Sequence, residues 1–212
     1  MRRLLDVGLE ELTTILFKMG GIAEEAVGLS IEGFLEGVDV SEKVQSLSAV
    51  LVTLSVDAED KTFELLVKYQ PVASDLRVIK SYMKIAYDFE RYGRYALDIS
   101  FDHKTFAELR KDAFTNTPLQ KLAEKVIKMV QTSVTAFKNH DAELARKLAG
   151  IEDEVDKLYM STLKQYSKTS FRDNSLISKI LVTRYLERIA DHATYIGESV
   201  VYIATGERVT LR

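Results

Sequence analysis

The chain of 212 residues contains no cysteine. This absence excludes disulfides, thiol catalysis and thiolate metal sites, and it is typical of proteins from a reducing compartment such as the cytoplasm. No apolar run approaches the ~18–20 residues that a membrane-spanning helix needs, so we do not expect the protein to be embedded in a membrane. Near the start, Asp6, Glu10 and Glu11 interrupt the apolar pattern and argue against a signal peptide.

The chain also lacks a surplus of positive charge. Its 29 basic side chains are outnumbered by 32 acidic ones, which gives a formal net charge of −3. Proteins that bind nucleic acid normally carry a basic surplus that neutralises phosphates, so no nucleic-acid partner is expected. With 46% apolar residues, the chain has ample material for a core, and its composition is not that of a disordered protein.

Turn-forming residues are scarce, with two prolines and ten glycines in the whole chain. Few turn residues and a 3–4 periodicity of apolar positions together predict long helices. The first segment shows one such stripe, which tapers from large to small residues: Leu5, Leu9, Leu12, Leu16, Met19, Ala23, Ala26, Ser30 and Gly33. Further helices are predicted near 41–69, 73–101, 118–139, 142–168 and 174–205.

An internal repeat divides the chain into two halves. Asp88–Ala96 parallels Tyr185–Ala193, and both segments contain Glu-Arg-x-small-x-x-Ala at the equivalent place in their half. We therefore predict an all-α fold of six long helices, arranged as three helices followed by three, with the boundary in the loop around 102–117. The first repeat is predicted over 1–104 and the second over 105–212.

Two pairs of carboxylates are candidates for metal ligands. Glu152 pairs with Asp156, and Glu187 pairs with Asp191, each four residues apart and therefore on one face of a helix. If the fifth and sixth helices pack as antiparallel neighbours, the four carboxylates converge and repel one another unless cations bridge them. Oxygen donors without thiolate favour hard cations such as iron, manganese, magnesium or calcium.

The same acidic pairs also fit an ordinary solvated helix face. Glu187 lies opposite the core stripe of its helix, and Arg184 and Arg188 are placed to neutralise it. His192 points to the flank of the core stripe, so it is expected to be a partly buried structural histidine. The sequence contains no Glu-x-x-His pair, which argues against a di-iron oxidase. Both interpretations of the acidic pairs stay open on spacing alone.

Four motifs resemble the PhoU family. Gln70–Ile79 is similar to the opening of the family's third helix, with Gln-Pro-x-Ala-x-Asp-Leu-Arg. The other three are Met19–Gly21, Asp153–Tyr159 and the stretch Arg184–Ala193 that runs on to Val201–Gly206. The resemblance covers the chain from about Leu5 to Gly206, in the family's order. It implies the family's all-α fold of two tandem, pseudo-symmetric three-helix bundles side by side, which agrees with the internal repeat.

This resemblance implies a regulator of phosphate uptake and phosphate-starvation signalling that is not an enzyme. Such proteins are usually cytoplasmic homodimers that restrain a phosphate ABC transporter, through its ATPase subunit, and in bacteria a sensor histidine kinase. Family members can bind multinuclear metal clusters through a Glu/Asp-x-x-x-Asp motif. Carried over by position, that motif falls on Glu152 with Asp156 and on Glu187 with Asp191.

The first repeat departs from the family's acidic motif. Its equivalent positions hold Ser48 and Val52 in the second helix, and Glu90 is followed by Arg94 instead of an acid. An arginine beside a carboxylate is an internal counter-charge that works against a metal. The hypothesis is therefore one metal site, in the second repeat only. Two alternatives remain, a carboxylate-bridged metalloenzyme and a purely structural helical scaffold beside another transport system.

Overall fold

The computed structural model describes residues 3–106, 117–168 and 175–212. Its helices are α1 (Leu4–Glu36), α2 (Ser41–Tyr69), α3 (Ala73–Phe106), α4 (Pro118–Asn139), α5 (Ala142–Arg146), α6 (Leu148–Tyr166) and α7 (Ser175–Thr205). Within these three ranges every regular element is helical, so the predicted all-α fold is confirmed. No helix in the same ranges is long and apolar enough to cross a membrane.

Two helix boundaries differ from the sequence prediction. The third helix was expected to end at 101, but α3 continues to Phe106. The single helix predicted over 142–168 is divided into α5 and α6 at Lys147, whose backbone keeps right-handed angles of φ −66° and ψ −17°. The two pieces therefore follow one another with one intervening residue. The break predicted at 170–174 lies outside the described residues, as does most of the one predicted at 102–117.

Local chemistry sets most of the helix ends. Gln70 takes left-handed angles with φ 45°, which ends α2 directly before Pro71. His140 does the same after α4, with φ 52°. The side chain of Asp141 then accepts a hydrogen bond of 2.9 Å from the backbone N–H of Leu144, so it caps the start of α5.

The helices form two bundles that share one hydrophobic core. Helices α1, α2 and α3 pack together, and α4 packs with α6 and α7, while α5 lies against α7. Helices α3 and α7 form the main contact between the bundles, with a smaller one between α1 and α4. The tapering stripe of α1 faces this core, since all of its residues are buried except the half-buried Leu9.

Two contacts at the α3–α7 interface join equivalent positions of the two repeats. The repeat alignment makes Asp88 equivalent to Tyr185, and Tyr95 equivalent to His192. His192 Nδ1 lies 2.8 Å from Asp88 Oδ1, and the equivalent side chains Tyr95 and Tyr185 stack with ring centroids 6.4 Å apart. Exchanging the halves therefore converts one contact into the other, as expected for a pseudo-twofold axis between the bundles. His192 is buried, with only 4% of the residue exposed, which is deeper than the partly buried position that the sequence predicted.

Candidate functional site

Helices α6 and α7 bring the two acidic pairs of the second repeat together. Glu152 and Asp156 lie on α6, and Glu187 and Asp191 lie on α7. The negative charges of the other three carboxylates all act on Glu152. We call these four residues the acidic cluster. The sequence predicted that these carboxylates converge if its fifth and sixth predicted helices, 142–168 and 174–205, are neighbours. These two helices correspond to α5 with α6, and to α7.

Glu152 is the most perturbed member of the acidic cluster. Only 3% of this residue is exposed, and its Oε2 atom is buried without a hydrogen-bond partner among the described residues. Burial, and then the charges of Asp156, Asp191 and Glu187, raise the pKa of Glu152 to about 7. Near neutral pH this carboxyl group is therefore divided between its protonated and ionised forms.

Asp191 is buried but has a cation at each oxygen. Arg188 donates a hydrogen bond of 2.7 Å from Nη1 to Asp191 Oδ2. On the other side, Arg212 Nη1 lies 3.5 Å from Asp191 Oδ1. Since Asp191 is only 5% exposed, these two guanidinium groups supply most of the counter-charge that a buried carboxylate needs.

Glu187 and Asp156 lie nearer the surface. Glu187 Oε2 is 2.7 Å from Arg184 Nη1, an ion-pair distance that lacks hydrogen-bond geometry. Burial and the charge of Asp191 raise the pKa of Glu187, and Arg184 and Arg188 oppose this rise. Asp156 is exposed and has no hydrogen-bond or ion-pair partner in the part of the chain that the structure describes. The solvated-face interpretation fits Asp156, but it is wrong for the buried Glu152 and Asp191.

The segment 207–212 reaches the acidic cluster through Arg212, and the sequence did not predict this contact. Leu211 is buried, and it packs where Gly197 leaves room on α7, because a Cβ atom there would stand 3.0 Å from Leu211 Cδ1. Glu198 Oε1 accepts a hydrogen bond of 3.2 Å from the Leu211 backbone N–H. These contacts place the next residue, Arg212, beside Asp191. The segment has no helical periodicity, so this placement could not be predicted from the sequence.

The four carboxylates of the acidic cluster are suitable ligands for a hard cation, although their side chains are not arranged around a common point. Among residues 3–106, 117–168 and 175–212, no three Asp, Glu or His side chains stand close enough to hold one metal ion. The unpartnered oxygen of Glu152 is nevertheless a free oxygen donor inside a set of four carboxylates. A cation would therefore take over the role of the arginines, and Glu152 would give up its proton.

The equivalent place in the first repeat has neither the acids nor the space for them. Ser48 is buried where Gly93 allows α2 to approach α3, since a Cβ atom on Gly93 would lie 2.5 Å from Leu51 Cδ1 and 3.5 Å from Ser48 Cα. Arg94 donates a hydrogen bond of 2.7 Å from Nε to Glu90 Oε1. The first repeat thus neutralises its one remaining carboxylate internally, as its sequence indicated.

Known proteins with similar sequences are accessory proteins of phosphate transport. This chain is 29% identical to the phosphate-specific transport system accessory protein PhoU homolog of Pseudomonas aeruginosa, over 95% of this chain and 85% of that protein. It is 30% identical to the homolog from Clostridium acetobutylicum, over 99% of this chain and 98% of that one. The homolog from Aquifex aeolicus is 32% identical, over 95% and 93% of the two chains.

Solved structures share the whole fold. The crystal structure of PhoU from Pseudomonas aeruginosa superposes with a TM-score of 0.90 at 28% identity, covering 95% of this chain and 99% of that one. The phosphate transport system regulatory protein PhoU from Streptococcus pneumoniae superposes with a TM-score of 0.83 at 23% identity, over 97% and 99% of the two chains. The sequence profile of the PhoU domain matches this chain twice, over residues 16–102 and 119–200. The chain therefore belongs to the PhoU family.

Proposed function

We propose that this protein regulates phosphate uptake and phosphate-starvation signalling by binding other proteins. It restrains the ATPase subunit of a phosphate ABC transporter and, where there is one, a sensor histidine kinase, and it acts in the cytoplasm as a homodimer without catalysing a reaction. The observation that carries the proposal is family membership, with relatives named as accessory proteins of the phosphate-specific transport system along nearly the full chain.

An exposed apolar stripe on α2 supports a role in protein binding. Val52, Val56, Phe63 and Val67 are all exposed and follow one another at spacings of four, seven and four residues, so they share one helix face. Exposed apolar residues that share one helix face are typical of an interaction site, although the exposed Glu59 lies on the same face between Val56 and Phe63. The stripe lies in the first repeat, whose acidic motif is missing, and we assign partner contacts to that repeat.

Binding to a purified phosphate-transporter ATPase subunit, measured with and without ATP, tests this function. We expect wild-type protein to bind and the double variant V56S/F63S to bind at least about tenfold more weakly, because buried apolar anchors dominate interface energies. The matched control M160S/I177S removes two exposed apolar residues from the second repeat and should bind normally. Absence of wild-type binding in both nucleotide states would contradict the function, whereas equal binding by V56S/F63S would contradict only the α2 surface.

We also propose that the acidic cluster binds a hard cation through Glu152, Asp156, Glu187 and Asp191, which would make the regulator responsive to metal. The support is the unpartnered, buried oxygen of Glu152 and the presence of four oxygen donors on two adjacent helices. When bound, the cation would supply the positive charge that Arg188 and Arg212 now provide.

Elemental analysis of protein purified without chelator and without a metal-affinity tag tests the cation site. Stoichiometric iron, manganese, magnesium or calcium that is lost in D156N/D191N supports the site. The control Glu90→Gln changes an acid of the first repeat and should keep the metal. Metal content that is unchanged in D156N/D191N, or absent from folded wild-type protein, would contradict the proposal.

A further inference from the structure

A second candidate site lies at the junction of the two repeats, and none of its lining residues belongs to the acidic cluster. It is a cavity of about 240 Å³ between α3, α7 and the segment 207–212. The residues of its wall that matter here are Lys80, Ser81, Lys84, Glu198, Tyr202 and Arg208. We call it the junction cavity. It is bounded by both halves of the molecule, so it exists only in the assembled fold.

Positive charge dominates the junction cavity. Lys80, Lys84 and Arg208 face a single carboxylate, Glu198. Lys84 Nζ lies 3.8 Å from Glu198 Oε2, near the outer limit of an ion pair. The other oxygen of this carboxylate, Oε1, accepts a hydrogen bond from the Leu211 backbone N–H. Lys80 and Arg208 have no acidic partner in the described part of the chain. Two cations therefore remain uncompensated beside the cavity.

An unused hydrogen-bond donor lies in the same wall. Ser81 is only 4% exposed, yet its hydroxyl makes no hydrogen bond with any described residue. Serines in helices normally donate to a carbonyl one turn earlier, as Ser199 does on the opposite wall, where its hydroxyl lies 2.9 Å from the Tyr195 carbonyl oxygen. The Ser81 hydroxyl oxygen is open to solvent at the cavity, so an acceptor bound there would receive its hydrogen bond in place of water.

Tyr202 positions two guanidinium groups at the edge of the junction cavity. Arg208 lies over its ring at 5.5 Å, and Arg77 lies over the same ring at 5.8 Å. The buried Arg77 Nε has no hydrogen-bond partner among the described residues. Gly206, with φ 80°, lets the chain turn here, since a side chain would stand 2.8 Å from Arg77 Nη1. The turn brings Arg208 back to the cavity.

We propose that the junction cavity binds a small anion that carries a phosphoryl group. A phosphoryl group has more than one negative charge and three acceptor oxygens, which matches several cations together with a serine hydroxyl better than a single carboxylate does. Lysine supplies point charges and arginine supplies paired donors, and both are common at phosphoryl sites. This inference goes beyond the proposed function, since it needs no transporter or kinase partner.

Isothermal titration calorimetry with inorganic phosphate, pyrophosphate and ATP, each at constant ionic strength, tests the junction cavity. We expect the double variant K80Q/R208Q to bind at least about tenfold more weakly than wild type, because it removes both uncompensated charges. The control K121Q/K138Q removes two exposed lysines of α4 and should change affinity by less than about twofold. Thermal unfolding of each variant checks that the fold is kept.

The variant Ser81→Ala separates a built site from general attraction to positive charge. It leaves the charge unchanged and removes only the unpartnered hydroxyl, so we expect affinity to fall by about threefold or more while the fold is kept. Inorganic phosphate binding as tightly as the larger probes would identify free phosphate as the ligand. Tighter binding of pyrophosphate or ATP would identify a polyphosphate or a nucleotide. Absence of binding by all three probes, or equal loss in K80Q/R208Q and K121Q/K138Q, would overturn the proposal.

Discussion

The two repeats treat equivalent carboxylates in opposite ways. In the first repeat Glu90 is followed one turn later by Arg94, and the two side chains neutralise each other at 2.7 Å. In the second repeat Glu187 is followed one turn later by Asp191, so the pair doubles its negative charge, and the cations come from outside it. The fourth residue after the shared glutamate thus decides whether that helix carries a closed ion pair or two acids.

The neighbouring helix repeats this contrast. Position 48 on α2 holds a serine, and position 152 on α6 holds a glutamate with a buried, unpartnered oxygen. The helix partners differ as well, because Gly93 on α3 corresponds to Ala190 on α7 in the repeat alignment. The first repeat is therefore closely packed around Ser48, whereas the second keeps a buried acid in the same place. At this place the first repeat has closely packed helices, and the second repeat has a buried carboxyl group whose charge depends on pH.

The largest expected effect comes from placing the acid of the second repeat into the first. Ser48→Glu forces a larger, charged side chain into the close contact of α2 with α3 beside Leu51 and Gly93, so we expect a loss of about 3–5 kcal/mol in the free energy of unfolding. Val52→Glu is the control, since Val52 is exposed at the other position of the same motif and should change stability by only about 0.5 kcal/mol. Urea unfolding measures both, and equal stabilities would show that the two repeats are packed alike.

The fold was largely predictable because long helices show a 3–4 periodicity of apolar residues in the sequence. The stripe of α1 from Leu5 to Gly33 and the duplicated Glu-Arg motif sufficed for two three-helix bundles. The division at Lys147 was not predictable, since its backbone stays close to helical and no proline or glycine marks it. The pairing of Asp88 with His192 joins residues 104 positions apart, and it follows only from the packing of α3 on α7.

The acidic cluster was predictable in its members but not in its electrostatics. Spacing placed the four carboxylates on two helix faces, and the structure brings them together. Which of them is buried depends on α6, α7 and the segment 207–212 at once. For that reason the raised pKa of Glu152 and the contact between Arg212 and Asp191 could not be read from local sequence.

The next effect tests the buried acid of the second repeat. The pKa of Glu152 is raised to about 7 from an ordinary value of 4.5, so the folded protein holds more protons than the unfolded chain between these pH values. Stability is therefore lost as pH rises from 4.5 to 7, and Glu152→Gln avoids this loss. We expect the variant to be more stable by on the order of 3 kcal/mol above pH 7, with the difference vanishing below pH 4.5.

Urea unfolding across this pH range measures the effect in metal-free protein. The matched variant Glu90→Gln removes the carboxylate that Arg94 neutralises in the first repeat, so it should be slightly less stable than wild type, by about 0.5 kcal/mol. A stability difference for Glu152→Gln that is independent of pH would contradict the raised pKa. If both variants change the free energy of unfolding in the same direction, the two repeats do not differ in how they treat these carboxylates.

A smaller effect tests the close packing of the first repeat. Gly93→Ala gives position 93 the side chain that the second repeat has at Ala190, but its Cβ would meet Leu51 Cδ1 at 2.5 Å in the fully buried core. We expect a net loss of about 1 kcal/mol, since the strain exceeds the usual gain from replacing glycine in a helix. Gly28→Ala on α1 meets nothing within 4 Å and should instead gain about 0.5–1 kcal/mol. Thermal unfolding of both variants checks the opposite signs.

The smallest effect concerns the external counter-charge of the second repeat. Arg212→Gln removes a guanidinium that is 48% exposed and 3.5 Å from Asp191, so we expect a loss of only about 0.5 kcal/mol at low salt and almost none at high salt. The same change also raises the pKa of Glu152 further, because Arg212 opposes that rise. The stabilising effect of Glu152→Gln should therefore reach its full size at a higher pH when Arg212→Gln is also present. An unchanged pH dependence would mean that the charge of Arg212 does not act on Glu152.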